Sequence, residues 1–378
     1  MEVHTSALAW LYWDPPQVIF TIPFIDHPIV YYGLIFVIGF IFAYLIMIHL
    51  FKREILGFNH LSERDIADWS DLALSLKKAA QPGHSFHSIF TKLNKSTQKY
   101  LEEWNVHQAI PKSMQNDILS AFDTAIRSFP SQFSRRRLER ILPKTFHSAK
   151  DLSLFLTDRL TWFMVGGTIL GARLGHVFFY DWPRYQNNLL SIFKTWEGGL
   201  ASHGGAIGVL IALFLYHRRI HKQFAEFTFI NLFDLLVIPM GLVFACIRIG
   251  NFFNQEILGT PTTLPWAIIF GHPSDQSLPE PRHPVQLYES AAYFSIFLFL
   301  YVFYRTSYKK LRPGTICGIF LILAASARFM LDFLKVPQSL MIDESILQTG
   351  QLLSIPFILG GALLLILAVK HKFVVKTA

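Results

Sequence analysis

Cysteine is scarce in this sequence: there are two, Cys246 and Cys317, each inside an apolar stretch and with no CxxC spacing. A disulfide framework and a cysteine-based metal site are therefore unsupported. Charge is scarce too. Only 16% of residues are Asp, Glu, Lys or Arg, against about a quarter in an ordinary soluble domain. Residues 1–28 contain no Lys or Arg at all, so the opening MEVHTSALAWLYWDPP lacks the positive region that a cleavable signal peptide needs. No internal repeat is visible, unlike the duplicated halves of many transporters.

Apolar residues are abundant. Of 378 residues, 52% are hydrophobic and 36 are Phe, and the mean hydropathy is +0.36. This composition predicts an all-α polytopic membrane protein. A spanning helix needs roughly 20 mostly apolar residues, and seven stretches come close: 29–51, 160–180, 202–217, 228–249, 284–304, 314–334 and 349–369. The net charge of +8 would suggest nucleic acid in a soluble chain. In a membrane protein it reflects Lys- and Arg-rich cytoplasmic loops, and no nucleic-acid partner is expected. With the N-terminus outside, the inner segments carry Lys52, Arg53, Arg218, Arg219, Lys222, Arg305, Lys309, Lys310, Arg312, Lys370, Lys372 and Lys376. The outer ones carry only Arg184, Lys194, Arg282 and Lys335. The asymmetry predicts the N-terminus outside and the C-terminus cytoplasmic. Trp10, Trp13, Tyr31, Tyr180, Trp182 and Trp196 fall near the expected interfaces, as an aromatic belt would place them.

One region departs from this pattern. Residues 75–157 are polar and basic, with the triplet Arg135, Arg136 and Arg137. Ile118, Leu119, Phe122, Ile126 and Phe129 recur at helical spacing, which predicts an amphipathic helix. That face either packs inside an inserted cytoplasmic helical domain or lies on anionic lipid. The expected organisation is 1–74 as outer segment and first span, 75–157 as the insertion, and 158–378 as the six-helix remainder.

Three arginines fall inside the expected spans: Arg173, Arg248 and Arg328. A central Arg costs roughly 2.5–3.5 kcal/mol on insertion scales, so such residues mark functional polar cavities by default. Simpler readings stand beside that one. Arg173, in GARLGHVFFY, is near a helix end and free to snorkel. Arg328 has Asp332 one turn later and suits an ion pair. Around Arg248 the stretch RIGNFFNQEILG concentrates Asn251, Asn254 and Glu256. WEGGLASHGG places His203 at a helix start beside Gly204 and Gly205; such a histidine is either interfacial or a proton carrier, its ordinary pKa being about 6.5. RHPVQLYES puts Gln286 and Glu289 on one helix face after His283. Tyr32 sits at the outer boundary of the first span. Together these groups suit an anionic phospholipid head group, since Arg favours bidentate contact with phosphate. His217 and His221 lie four apart in HRRIH, but no acidic ligand accompanies them, so no metal is expected.

RIGNFFNQEILG resembles the signature of the prolipoprotein diacylglyceryl transferase family, G-R-x-G-N-F-x-N-x-E-x-x-G. Arg248, Gly250, Asn251, Phe252, Asn254, Glu256 and Gly259 match, and Ile247 replaces the first glycine. YYGLIFVIGF, GARLGHVFFY, WEGGLASHGG, RHPVQLYE, ARF (327–329) and TGQLLSIP match in family order, whereas 75–157 looks like an insertion. The resemblance implies a seven-helix enzyme of the bacterial cytoplasmic (inner) membrane without cofactor. Such an enzyme moves the diacylglyceryl group of phosphatidylglycerol onto the lipobox cysteine of a prolipoprotein, forming a thioether and releasing glycerol 1-phosphate. It implies His203, Arg248 and Arg328 as catalytic. It implies Tyr32, Arg173, Gly204, Asn251, Asn254, Glu256, Gly259, His283, Gln286 and Glu289 as substrate-binding. Two positions depart from the pattern: Ala324 stands where a Tyr is common, and Asp332 where a Glu is common. The rival readings are a phospholipid transporter or flippase and a non-catalytic lipid-binding protein.

Overall fold

The computed structural model describes residues 10–24, 26–58, 60–194, 198–336 and 347–370. Trp196, Lys372 and Lys376 lie outside the described residues. The chain opens with three short strands, β1 (Leu11–Trp13), β2 (Val18–Ile22) and β3 (His27–Val30), and β3 runs directly into helix α1 (Tyr31–Leu56). Then come α2 (Trp69–Lys78), α3 (His87–Phe90), α4 (Lys95–Glu103), α5 (Lys112–Ser128), α6 (Pro130–Phe133) and α7 (Arg135–Ile141). Next are α8 (Ala149–Phe179), α9 (Trp182–Tyr185), α10 (Ser202–Ile220) and α11 (Phe229–Phe253). β4 (Ile268–Phe270) and β5 (Pro281–Arg282) precede α12 (Val285–Ser307), α13 (Thr315–Asp332) and α14 (Thr349–Lys370). The strands were not expected from a membrane-helix pattern, because each is too short to show a period of two.

Among the described residues, six helices are long and apolar enough to cross a membrane: α1, α8, α11, α12, α13 and α14. The protein is thus a mostly helical, polytopic membrane protein. Its apolar side chains face outward as well as inward: Phe40, Ile41 and Phe42 on α1, and Phe357, Leu363 and Val369 on α14, are exposed. In water such a surface would be a liability, but against lipid tails it is the ordinary exterior. The predicted third span is a helix, α10, yet it is not among the six. Its ends carry His203, His217, Arg218 and Arg219, which dilute a 19-residue helix.

The described chain divides into two compact units, and it passes from one to the other within α1. The first holds residues of 1–47 and 227–376. In it α11 packs along α12, and α13 along α14. β1 pairs in parallel with β4, and β4 pairs antiparallel with β5. Thr228 caps α11 by accepting from the Asn231 amide. A buried acid in α11, Asp234, caps another helix: its oxygens accept from the Gly314 and Cys317 amides at 2.7 Å each. Gly314 takes a left-handed turn (φ 87°) at the start of α13, a conformation glycine adopts freely.

The second unit holds residues of 48–226. Part of it is a core of its own between Leu61 and Phe146, in which Phe86, Phe122, Phe133 and Phe146 are all buried. The predicted amphipathic helix is α5. Its Ile118, Phe122 and Ile126 turn into this core, with Leu119 against its margin; Phe129, just past its end, is exposed. Arg135 of the basic triplet is buried and ion-paired with Asp65 and Glu139. The unit also contains the pairing of α8 with α10. Gly167, Gly171 and Gly175 on α8 meet Gly204, Gly208 and Ala212 on α10 so closely that a Cβ on Gly171 would lie 2.7 Å from the Gly208 Cα. Small residues four apart are what allow two helix backbones to touch.

Candidate functional site

Helix α11 ends at Phe253, and Arg248 lies on it, inward of the last turn. Asn251 lies one turn on, and Arg248 Nη1 donates to its Oδ1 at 3.2 Å. Asn251 Nδ2 in turn donates to Glu256 Oε1 at 2.6 Å, and Asn254 Nδ2 reaches the same oxygen at 3.4 Å. The polar groups of the signature therefore bond to one another in series. From α12, Gln286 Nε2 donates to the Glu256 carbonyl at 2.8 Å. Glu289, one turn further along α12, is fully buried, with Oε2 3.1 Å from Arg248 Nε. That contact is close but not aligned as a hydrogen bond, so its attraction is chiefly coulombic. Arg248 keeps 17% of its side chain exposed.

The network continues beyond the residues the sequence singles out. Lys335 Nζ donates to Glu289 Oε1 at 2.8 Å and to Asp332 Oδ1 at 2.6 Å. Asp332 Oδ2 lies 3.9 Å from Arg328 Nε, so the ion pair anticipated for Arg328 is present in loose form. Arg328 is the most open member, 45% exposed. Tyr32 lays its ring on Gly250: a Cβ there would sit 2.7 Å from the ring. Gly259 plays a similar part further on, where a Cβ would collide with the His283 carbonyl. His283 is half-buried, with Nδ1 3.5 Å from the Tyr288 hydroxyl.

The signature loop is braced from the N-terminus. Gln255, buried with a positive φ of 51°, donates to Asp14 Oδ1 at 3.0 Å and accepts from the His272 amide at 2.7 Å. Hydrogen bonds from His272 and Gln255 hold the Asp14 carboxyl below the usual carboxylate range. The Trp13 indole donates to the Phe252 carbonyl at 3.2 Å, and Tyr31 stacks on Phe253. Sequence reasoning missed Gln255, Asp14 and Lys335. Gln255 is a variable position of the signature, and Lys335 reads as one more loop lysine. Asp332 three residues before Lys335 is the one local signal that could have found it.

Arg173, His203 and Gly204 belong to the second unit. Arg173 is buried, and its guanidinium donates to main-chain carbonyls of Ser191, Ile192, Lys194, Gly198 and Gly199. It thereby gathers the loop that leads to α10. His203 is exposed in the first turn of α10. Gly204 lies in the helix contact, where a Cβ would meet the Gly175 Cα at 2.7 Å.

A charged network at the end of apolar helices defines a class: a polytopic membrane protein with ionised groups gathered at buried positions. Comparison with known proteins gives the family. The model described as prolipoprotein diacylglyceryl transferase matches residues 134–367. A phosphatidylglycerol–prolipoprotein diacylglyceryl transferase from Protochlamydia amoebophila is 44% identical over 354 residues, 94% of each chain. Proteins of the same name from Tolumonas auensis and Porphyromonas gingivalis are 43% and 42% identical; each match covers 80% of that protein but 57% and 58% of this chain. The chain belongs to the prolipoprotein diacylglyceryl transferase family.

Proposed function

We propose that this protein transfers the diacylglyceryl group of phosphatidylglycerol to the lipobox cysteine of a prolipoprotein, in a bacterial cytoplasmic (inner) membrane. The observation that carries the reading is Arg248, held by Asn251 and Glu289 while part of its side chain stays open. The family relationship supplies the reaction class. Seven crossings, with α10 as the third, an outer N-terminus and residues 75–157 as a cytoplasmic insertion, agree with the distribution of Lys and Arg.

The reaction needs three things from the chain. The cysteine thiol must lose a proton, because the thiolate is the nucleophile. His203, exposed in the first turn of α10, accepts it as general base. The thiolate attacks the glycerol carbon that carries the phosphate; a C–S bond forms, the C–O bond breaks, and its electron pair leaves with glycerol 1-phosphate. The phosphate thus gains negative charge in the transition state. Arg248 and Arg328 stabilise it, and fixed charges of this kind are usually the largest catalytic contribution. Asn251, Asn254 and Glu256 hold Arg248 and the head group, with Tyr32, His283 and Gln286 around them. Glu289 acts on Arg248, Arg173 acts by holding its loop, and Gly204 and Gly259 act by permitting close packing.

The test uses the detergent-purified protein, phosphatidylglycerol and a synthetic lipobox peptide with one cysteine. The peptide should gain the mass of a diacylglyceryl group, and Arg248→Ala should abolish the gain. Phosphatidylglycerol that binds but never transfers would overturn the enzyme in favour of a carrier or binding protein.

A further inference from the structure

Lys335 is the one cation in the network that no signature residue predicts. Its side chain is only 9% exposed, and a buried ammonium needs partners to remain charged. It has two, Glu289 and Asp332, themselves buried. Each of those carboxylates turns its other oxygen to an arginine: Glu289 Oε2 to Arg248 and Asp332 Oδ2 to Arg328. The order is Arg248, Glu289, Lys335, Asp332, Arg328, with the sign alternating at every step. The backbone fixes the same point. Lys335 forms a bridge with Gly259, the last glycine of the signature. Flanking it, Thr260 N donates to the Leu334 carbonyl at 2.8 Å and Val336 N to the Leu258 carbonyl at 3.0 Å. Gly350, at the start of α14, adds no Cβ where Asp332 Oδ2 lies; one there would collide with it.

We propose that Lys335 is a positioning residue for the transfer reaction: its ammonium, clamped between Glu289 and Asp332, sets the spacing and orientation of Arg248 and Arg328. The inference rests on the transferase reading. Without Lys335 the two carboxylates would lose their shared counter-charge. Each would then draw more strongly on its own arginine, and the pair would no longer meet the departing phosphate in register. Such a defect belongs to the transition state, so it lowers kcat more than it raises KM.

The experiment measures kcat and KM for phosphatidylglycerol with the lipobox peptide, in wild type, Lys335→Met and Lys335→Arg. Lys335→Met should lower kcat about 100-fold with KM within about threefold, and Lys335→Arg should keep kcat within about threefold of wild type. Combining Lys335→Met with Asp332→Asn should be clearly less harmful than the product of the two single losses, because both act through one network. A Lys335→Met protein with wild-type kcat would overturn the proposal, as would strict multiplicativity in the double variant. Should Lys335→Met fail to fold, Lys335→Gln combined with Asp332→Asn removes opposite charges together; unimpaired kcat there would also overturn it. Wild-type protein that binds phosphatidylglycerol without transferring anything would instead sink the transferase reading itself.

Discussion

At the scale of single residues, the site is held by fixed charges whose partners are mostly other side chains. Arg248 faces two of them at different angles, Asn251 at Nη1 and Glu289 at Nε. A lysine there keeps the charge but cannot reproduce both contacts, since its ammonium is a point donor and not a planar fork. Arg248→Lys should therefore lower kcat/KM at least about 100-fold, nearly as much as Arg248→Ala, on the scale of losing one preorganised donor to a developing oxyanion. The peptide lipidation assay reads this directly, and retention of near-wild-type activity by Arg248→Lys would show that charge alone suffices. His203 has a different task. If it removes the thiol proton, His203→Gln should lower kcat about 100-fold at neutral pH. The loss should shrink as the pH rises above about 8.5, where the free thiol ionises without help. A loss that is the same at every pH would assign His203 to shaping the turn instead.

At the scale of elements, the fold depends on places where two elements need one particular residue. The glycines at 167, 171 and 175 are spaced for a helix contact, a pattern that is legible in the sequence but was masked by the apolar run around it. Gly171→Ala should cost about 1–3 kcal/mol by forcing the two backbones apart, seen as a lower unfolding temperature in detergent. Asp234 is the opposite case, an acid whose purpose only the structure reveals. Asp234→Leu leaves the Gly314 and Cys317 amides without their cap. It should destabilise by about 2 kcal/mol or more, whereas Asp234→Asn, which keeps one acceptor, should do less harm. Near the end of α1 a third contact depends on pH. Glu226 accepts from His60 and from Arg64, each at 2.6 Å. Burial opposes its charge, but those hydrogen bonds prevail and bring its pKa down to about 2. The hydrogen bond to Glu226 raises His60. The glutamate's contribution is therefore present above the ordinary carboxylate range and is lost as the pH falls from about 5 towards 2. The histidine's contribution is complete below about 6.5 and is lost as the pH rises through its elevated value. Hydrogen exchange of residues 60–66, corrected for intrinsic rates, should be slowest between about pH 5 and 6.5 and faster on both sides. A flat profile would mean that the contact contributes nothing to local stability.

At the scale of the whole molecule, the membrane character and the positions of the long helices were legible because twenty apolar residues in a row have few other uses. Arg248, Asn251, Glu256 and Glu289 were legible because polar groups beside such runs need a reason to be there. Asp14 and Gln255 were not, since their partners are distant in sequence and their residue types are common in loops; Lys335 was not because, although Asp332 precedes it by three residues, its other partner, Glu289, lies on α12. The strands β1 and β4 escaped for the same reason, as their pairing joins segments more than 250 residues apart. The number of crossings turns on α10. Its 19 residues extend about 28 Å at 1.5 Å per residue, enough for the hydrocarbon core, while its charged groups cluster at the ends where water begins. If α10 crosses, the segments before and after it lie on opposite faces. Asn187 and Lys222 are exposed positions on either side of it. Single cysteines placed at each, in a background with Cys246 and Cys317 replaced by serine, report this through an impermeant maleimide added to intact spheroplasts. Asn187→Cys should label at once and Lys222→Cys only after permeabilisation, with Gln108→Cys in the insertion behaving like Lys222→Cys. Equal labelling at 187 and 222 would reduce the crossings to six and place both chain termini on one face. The basic residues following α10 would then lie outside, against the electrostatic preference that retains Lys and Arg on the cytoplasmic side.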